Sequence, residues 1–332
     1  MPLLREGFDP LAQSALAHPV KALALVALLA WAVPAVVAQD LLPSAEPSSL
    51  SIAVDALRLA AEPDGGIPAA RRLDRIAAAH ADLRRVLSGK PPDRLDDTDA
   101  RLAYTGANIA SFHTASADIA REQAWALEVL EQRGLANTGD VHDTYRGLVA
   151  AREFAAAAAF AAARPEAALP PLPRILYAQA DPAEASELVV QGDGAALTLQ
   201  AAPIRPEITI LVVAHPSCHF TQAAVRDIDR DDQLRELFAT RAKWIAPQNR
   251  DINFAVIADW NRDHPDKQIS IAYRAAGWPL VDDWDTPVFY FLHDGNVVSK
   301  VVGWPREGQK GDVLAALLKV QARAGRRSVG QP

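Results

Sequence analysis

The run ITILVVA at residues 208–214 constrains this chain most. It has the length of a strand, is rich in β-branched residues and lacks the polar alternation of a strand with one wet face. Such a strand is buried on both sides, so helices must cover the sheet that contains it. A helical pattern follows from Phe220, with Ala223, Ala224, Ile228, Leu234, Leu237 and Phe238 apolar through about Thr240. Between run and helix stands Cys218, the single cysteine of the 332 residues. One cysteine excludes an internal disulfide framework and leaves a free thiol, a mixed disulfide or a disulfide-linked homodimer.

The grammar is β-like over the rest of this half. Ser186–Gln200 reads as a hairpin, with Leu188–Val190 and Ala196–Leu199 around Gly192-Asp193-Gly194. Lys243–Ala246 and Phe254–Ile257 are short candidate strands, and Ile269–Ala276 is a candidate helix bounded by Gly277-Trp278-Pro279. Val288–Leu292 and Val297–Val302 form a hairpin around His293-Asp294-Gly295-Asn296, and Val313–Ala324 is a closing helix.

The first half differs. From Ser49 to about Arg164 it is Ala-rich with helical spacing. Ile52, Ala56, Leu57, Leu59 and Ala60 give a first stripe, and Pro68–Leu87 a second helix carrying His80 on its apolar face. A third helix follows Asp97-Thr98, and Ser116–Arg133 is a fourth, closed by Gly134. From Thr138, one helix to about Ala150, a turn near Arg152-Glu153 and an Ala-rich helix ended by Pro165 resemble a tetratricopeptide-type pair, without the full repeat signature. ALPPLPR at 168–174 is a stiff connector between the halves. The expected organisation is therefore a helical domain at 49–165, a Pro-rich linker at 166–185, an α/β domain at 186–325 and a tail at 326–332.

Residues 1–38 read as an export signal. Ala22–Val37 is apolar, Lys21 stands at its amino edge, and Val36-Val37-Ala38 offers a cleavage site before the linker 39–48. An uncleaved membrane anchor is the alternative. Export places Cys218 in a periplasmic or otherwise oxidising compartment. The formal net charge of −7 argues against nucleic acid as a partner, since phosphate binding wants clustered Lys and Arg. A protein client or partner is expected instead, with no stable membrane span after cleavage and no cofactor.

The order hairpin, buried strand, Cys, long helix, strand, helix, Thr-Pro, hairpin, helix resembles the thioredoxin-like fold. More particularly, it resembles exported thioredoxin-like proteins with an added amino-terminal hairpin, over residues 186–325. Two segments carry the resemblance: ITILVVAHPSCHFT, and DTPVFYFLHDGNVVSKVVG at 285–303. It implies a central mixed sheet flanked by helices, a cis Pro287 beside Cys218, and a Thr286 backbone that pairs with substrate. Physical chemistry agrees at Cys218, because the first turn of a helix offers unpaired N–H groups and the positive end of its dipole to a thiolate. Three departures matter. Thr221 stands where the resolving cysteine of the family would be, Ser217 replaces its tryptophan, and Val212 its buried acid. The ordinary dithiol cycle therefore cannot run within this chain.

Three readings of the site stay open at this point. Cys218 is a reactive monothiol helped by His215, His219 and the Thr221 hydroxyl. Alternatively the domain is a non-catalytic interaction module, with the helical half as the partner surface. Or His215, Cys218 and His219 bind a soft metal such as copper. Trp284, near Pro287, is a candidate wall for an extended peptide. The other tryptophans of this half are assigned to core or rim, and Asp282, Asp283 and Asp285 to a solvated loop.

Overall fold

The computed structural model describes residues 47–63, 69–90, 94–177, 184–204, 206, 209–250 and 252–328. The export segment and most of its linker lie outside the described residues, as does the middle of the Pro-rich linker. From Pro47 onward the chain is one compact unit of mixed α/β character. No helix among the described residues is long and apolar enough to cross a membrane.

Among the described residues, six α-helices come first: α1 (Ser49–Ala61), α2 (Ala69–Ser88), α3 (Asp97–Thr114), α4 (Ala117–Gln132), α5 (Thr138–Ala150) and α6 (Phe154–Ala162). Side chains fix several of their starts. Ser48 accepts from Ser51 N at the head of α1 and Asp96 from Asp99 N at α3. At α5, Asn137 and Asp140 exchange bonds in a capping box. The buried face of α1 is not the stripe expected from its sequence. Leu50, Ala53, Val54, Leu57 and Ala60 are buried, while Ile52 and Leu59 are exposed. Both registers are apolar at helical spacing, and packing against Ile76, Leu83 and Ala110 selects the one that starts at Leu50.

The second half holds β1 (Arg174–Tyr177), β2 (Ser186–Gln191), β3 (Ala196–Ala201), β4 (Ile210–Val213), α7 (His219–Arg230), α8 (Asp232–Arg241), β5 (Ala242–Ala246), α9 (Phe254–Asp263), β6 (Ile269–Ala272), β7 (Val288–His293), β8 (Asn296–Val302) and α10 (Lys310–Ser328). The strands form one mixed sheet in the order β1-β3-β2-β6-β5-β4-β7-β8. Strand β4 runs parallel to β5 and antiparallel to β7, with Val212 opposite both Trp244 and Phe289. Its alternate residues enter two cores. Ile210 and Val212 join Phe289, Phe291, Trp244 and the inner faces of α7, α8 and α10. Leu211 and Val213 join Ile245, Val288, Tyr290 and Trp278.

Four expectations are corrected. Phe254–Ile257 is the start of α9, not a strand, because Asn253 Oδ1 accepts from Ala255 N and Val256 N and caps a helix there. Ile269–Ala276 is not a helix. Its first four residues are a fully buried strand between β5 and β2. The helix expected from Phe220 to Thr240 is broken at Asp231, whose carboxylate caps α8 through Leu234 N and also meets Lys310. The Pro-rich linker is not connector throughout: Arg174–Tyr177 within it pairs with β3 as the edge strand β1.

Helices and sheet share a core, in which Leu127, Leu148, Phe154 and Phe160 are contiguous with Leu188, Leu197 and Ile271. Arg152 adds a polar tie. Its buried guanidinium donates through Nε to Tyr273 O at 2.8 Å and through Nη2 to Ala272 O at 2.7 Å, at the end of β6.

Candidate functional site

Strand β4 delivers the thiol. Past Val213, Ala214 N donates to Ile245 O at 2.9 Å, and the chain turns through His215-Pro216-Ser217. Cys218 N closes that turn on His215 O at 3.0 Å, and Ser217 N donates to His215 Nδ1 at 3.2 Å. Cys218 then occupies the N-cap of α7 in extended conformation. Oxygen side chains usually fill that position to accept from the first-turn N–H groups. Here the sulfur occupies it without closing a side-chain cap bond, and the nearby N–H groups of Thr221 and Phe220 favour the thiolate.

From the far side comes the segment before β7. The Thr286–Pro287 peptide bond is cis, Pro287 is buried, and Cys218 Sγ lies 3.1 Å from Thr286 O. The contacts on the sulfur oppose one another. Burial pushes the thiol up, while the Thr286 hydroxyl, the Thr221 and Phe220 N–H groups and the Thr221 hydroxyl pull it down. The carbonyl of Thr286 accepts only from S–H and so favours the neutral thiol. The donors outnumber it, and the thiol titrates below its ordinary value. Thr221 is fully buried, and its Oγ1 makes no hydrogen bond of ordinary geometry.

Cys218, itself part-exposed, opens into a depression of about 450 Å³. His215, Ser217, Pro247, Asn249, Trp284, Asp285 and Thr286 line it. His215, Trp284 and Thr286 thus meet around the thiol. His219 does not line the depression. It is exposed, and its ring packs on Phe220 with centroids 3.8 Å apart. No group of three or more His, Cys, Asp and Glu side chains among the described residues is placed to hold a metal ion, so His215, Cys218 and His219 do not make the three-ligand copper site.

Pro247 and Asn249 were missed from sequence. Because β4 and β5 are parallel, their carboxyl ends lie side by side, and residues just past β5 must face those just past β4. That signal was available once both strands were assigned. The aspartates before Thr286 lie in a loop with Asp282 and Asp285 exposed, as expected, and side-chain bonds pin part of it. Tyr290 donates to Asp282 Oδ1 at 2.9 Å and accepts from Asp283 N at 2.9 Å, and Lys300 lies 3.0 Å from Asp282 Oδ1. They fix the approach to Trp284. Trp244, Trp260, Trp278 and Trp304 are buried.

A larger hollow of about 730 Å³ opens beside β2, β6 and β5. Its buried carboxylate, Glu187, is already occupied by Lys243 at 2.6 Å, Ser270 at 2.5 Å and Gln200 at 3.1 Å. No family model, curated protein or solved structure matches this chain.

Proposed function

We propose that the chain is an exported thioredoxin-like protein that uses Cys218 as a monothiol, forming mixed disulfides with a protein client or a small disulfide. The observation that carries this reading is the setting of the sulfur: part-exposed, at a helix N-cap, and titrating below an ordinary thiol. The order β5-β4-β7-β8, with β4 parallel to β5 and the other neighbours antiparallel, supports the thioredoxin-like part of the reading.

The step balances as thiol–disulfide exchange. The Cys218 thiolate attacks one sulfur of R–S–S–R′, a new Sγ–S bond forms, and R′–S⁻ leaves with the electron pair and takes up a proton. Release needs a thiol from outside the chain, because Thr221 carries no sulfur. In this role Thr221 tunes the thiol, His215, Trp284 and Thr286 line the approach, and the buried Pro287 carries Thr286 into place.

One contact favours the runner-up, a non-catalytic interaction module. The Thr286 carbonyl at 3.1 Å accepts an S–H and holds the neutral thiol. The pH dependence of iodoacetamide alkylation of Cys218 separates the two. The monothiol reading expects a midpoint clearly below ~8.5. A midpoint at or above that value, or no labelling in the folded protein, leaves the module.

A further inference from the structure

The four residues after β5 are divided between two faces. Pro247 and Asn249 line the thiol depression, whereas Gln248 and Arg250 reach into the helical part. Gln248 Nε2 donates to Ala150 O at 2.9 Å and to Ala115 O at 3.4 Å, while its Oε1 accepts from Ala275 N at 2.9 Å. Ala150 is the last residue of α5 and Ala115 the first past α3. Carbonyls at helix carboxyl ends lack an intrahelical donor, so one amide serves two helix ends. Arg250 is 4 % exposed at its side chain. It donates to Asn108 Oδ1 at 2.8 Å and to Asp143 O at 2.5 Å, with Asp143 Oδ1 at 3.3 Å. Asn108 is itself held by Gln123 at 2.9 Å.

We propose that Gln248 and Arg250 are positioning residues through which the helical part fixes one wall of the Cys218 depression and so selects which sulfur partner enters it. Residues that alternate along a short segment cannot move independently. Holding 248 and 250 on the helices holds 247 and 249 against the thiol. Neither Gln248 nor Arg250 touches the sulfur, so the chemistry of Cys218 stays set by Thr286, Thr221 and Phe220. As to selection, the inference rests on the monothiol reading. As to the wall, it does not.

The single cysteine gives a direct test. A methanethiosulfonate nitroxide reacts with Cys218 by forming an Sγ–S bond and expelling methanesulfinate with the electron pair, and its paramagnetic resonance line shape reports the room around it. Gln248→Met keeps the length of the side chain and removes all three hydrogen bonds. It is expected to shift the label to a more mobile spectrum. It is also expected to change the rate with a pyridyl-disulfide peptide about fivefold or more while the iodoacetamide rate stays within about twofold. Arg152→Met, which breaks the helix–sheet tie elsewhere, is expected to leave the line shape as in wild type. A wild-type spectrum in folded Gln248→Met overturns the proposal, and so does an equal change in Arg152→Met. Should Gln248→Met not fold, Arg250→Lys, which keeps the charge but not the fork, decides on the same two readouts. A mobile label together with an ordinary alkylation midpoint keeps the wall and removes the monothiol reading.

Discussion

Arg152→Met measures how firmly the helical part is tied to the sheet. The guanidinium is buried and makes two short bonds to carbonyls at the end of β6. A hydrogen bond to a charged donor contributes about 1.5–3 kcal/mol, so the two together stabilise by about 3–6 kcal/mol. The burial of the charge opposes them, dragging the guanidinium down to about 9, and methionine is relieved of that cost. The carbonyls of Ala272 and Tyr273 are left without this donor, so the net effect falls in the lower half of the range, about 3 kcal/mol. Backbone strain cancels in the comparison. Arg152 sits at φ 64°, and methionine has no more freedom there than arginine. For a unit of this size, about 3 kcal/mol lowers the melting temperature by about 6 °C. Urea unfolding followed by circular dichroism gives the free energy, and Arg152→Lys, which reaches fewer carbonyls, is expected between wild type and Met. A loss below about 1 kcal/mol in Arg152→Met would refute the reasoning, since that is the scale of an ordinary solvated bond.

Gly106→Ala places a methyl group into Leu83 Cδ2 where α3 crosses α2. It is expected to destabilise by about 1–3 kcal/mol despite the roughly 1 kcal/mol that alanine gains in helix propensity, as read by the urea midpoint. Thr221→Val removes a hydroxyl that pulls the thiol down but has no ordinary partner. The alkylation midpoint should rise while stability holds or increases by up to about 1 kcal/mol, and a large loss of stability would contradict that assignment. The thiol also links stability to pH. Its folded value lies below its unfolded one, so its contribution is fully present above the unfolded value of ~8.5 and is lost as pH falls through the folded value. The stability difference between wild type and Cys218→Ser should therefore grow with pH across that window, and a flat difference would deny the shift.

The parts of the chain with a strong period were legible in sequence. The strand before Cys218, the start of the helix after it, the hairpin 288–302 and the helical character of the amino-terminal part follow from strong patterns, although the break at Asp231 and the buried register of α1 do not. The failures are short apolar segments. FAVI at 254–257 and ISIA at 269–272 are each four apolar or small residues, and period alone cannot assign them. Asn253 decides the first by capping, and the second is decided by two neighbouring strands far away in sequence. In the site, Cys218 and His215 were legible because they stand between a patterned strand and helix, Thr286 was expected only from the resemblance, and His219 was expected there but does not line the depression. Gln248 and Arg250 were not legible, because their partners are helix-end carbonyls and Asn108, which no local motif announces.

The central claim is that Cys218 exchanges with disulfides and cannot resolve the product within its own chain. Incubating the folded protein with oxidised glutathione and weighing it by mass spectrometry tests this directly. The account predicts one glutathionyl group on Cys218, stable until an external thiol is added and absent from Cys218→Ser. A folded protein that takes up no adduct, while the same protein in urea does, would contradict it.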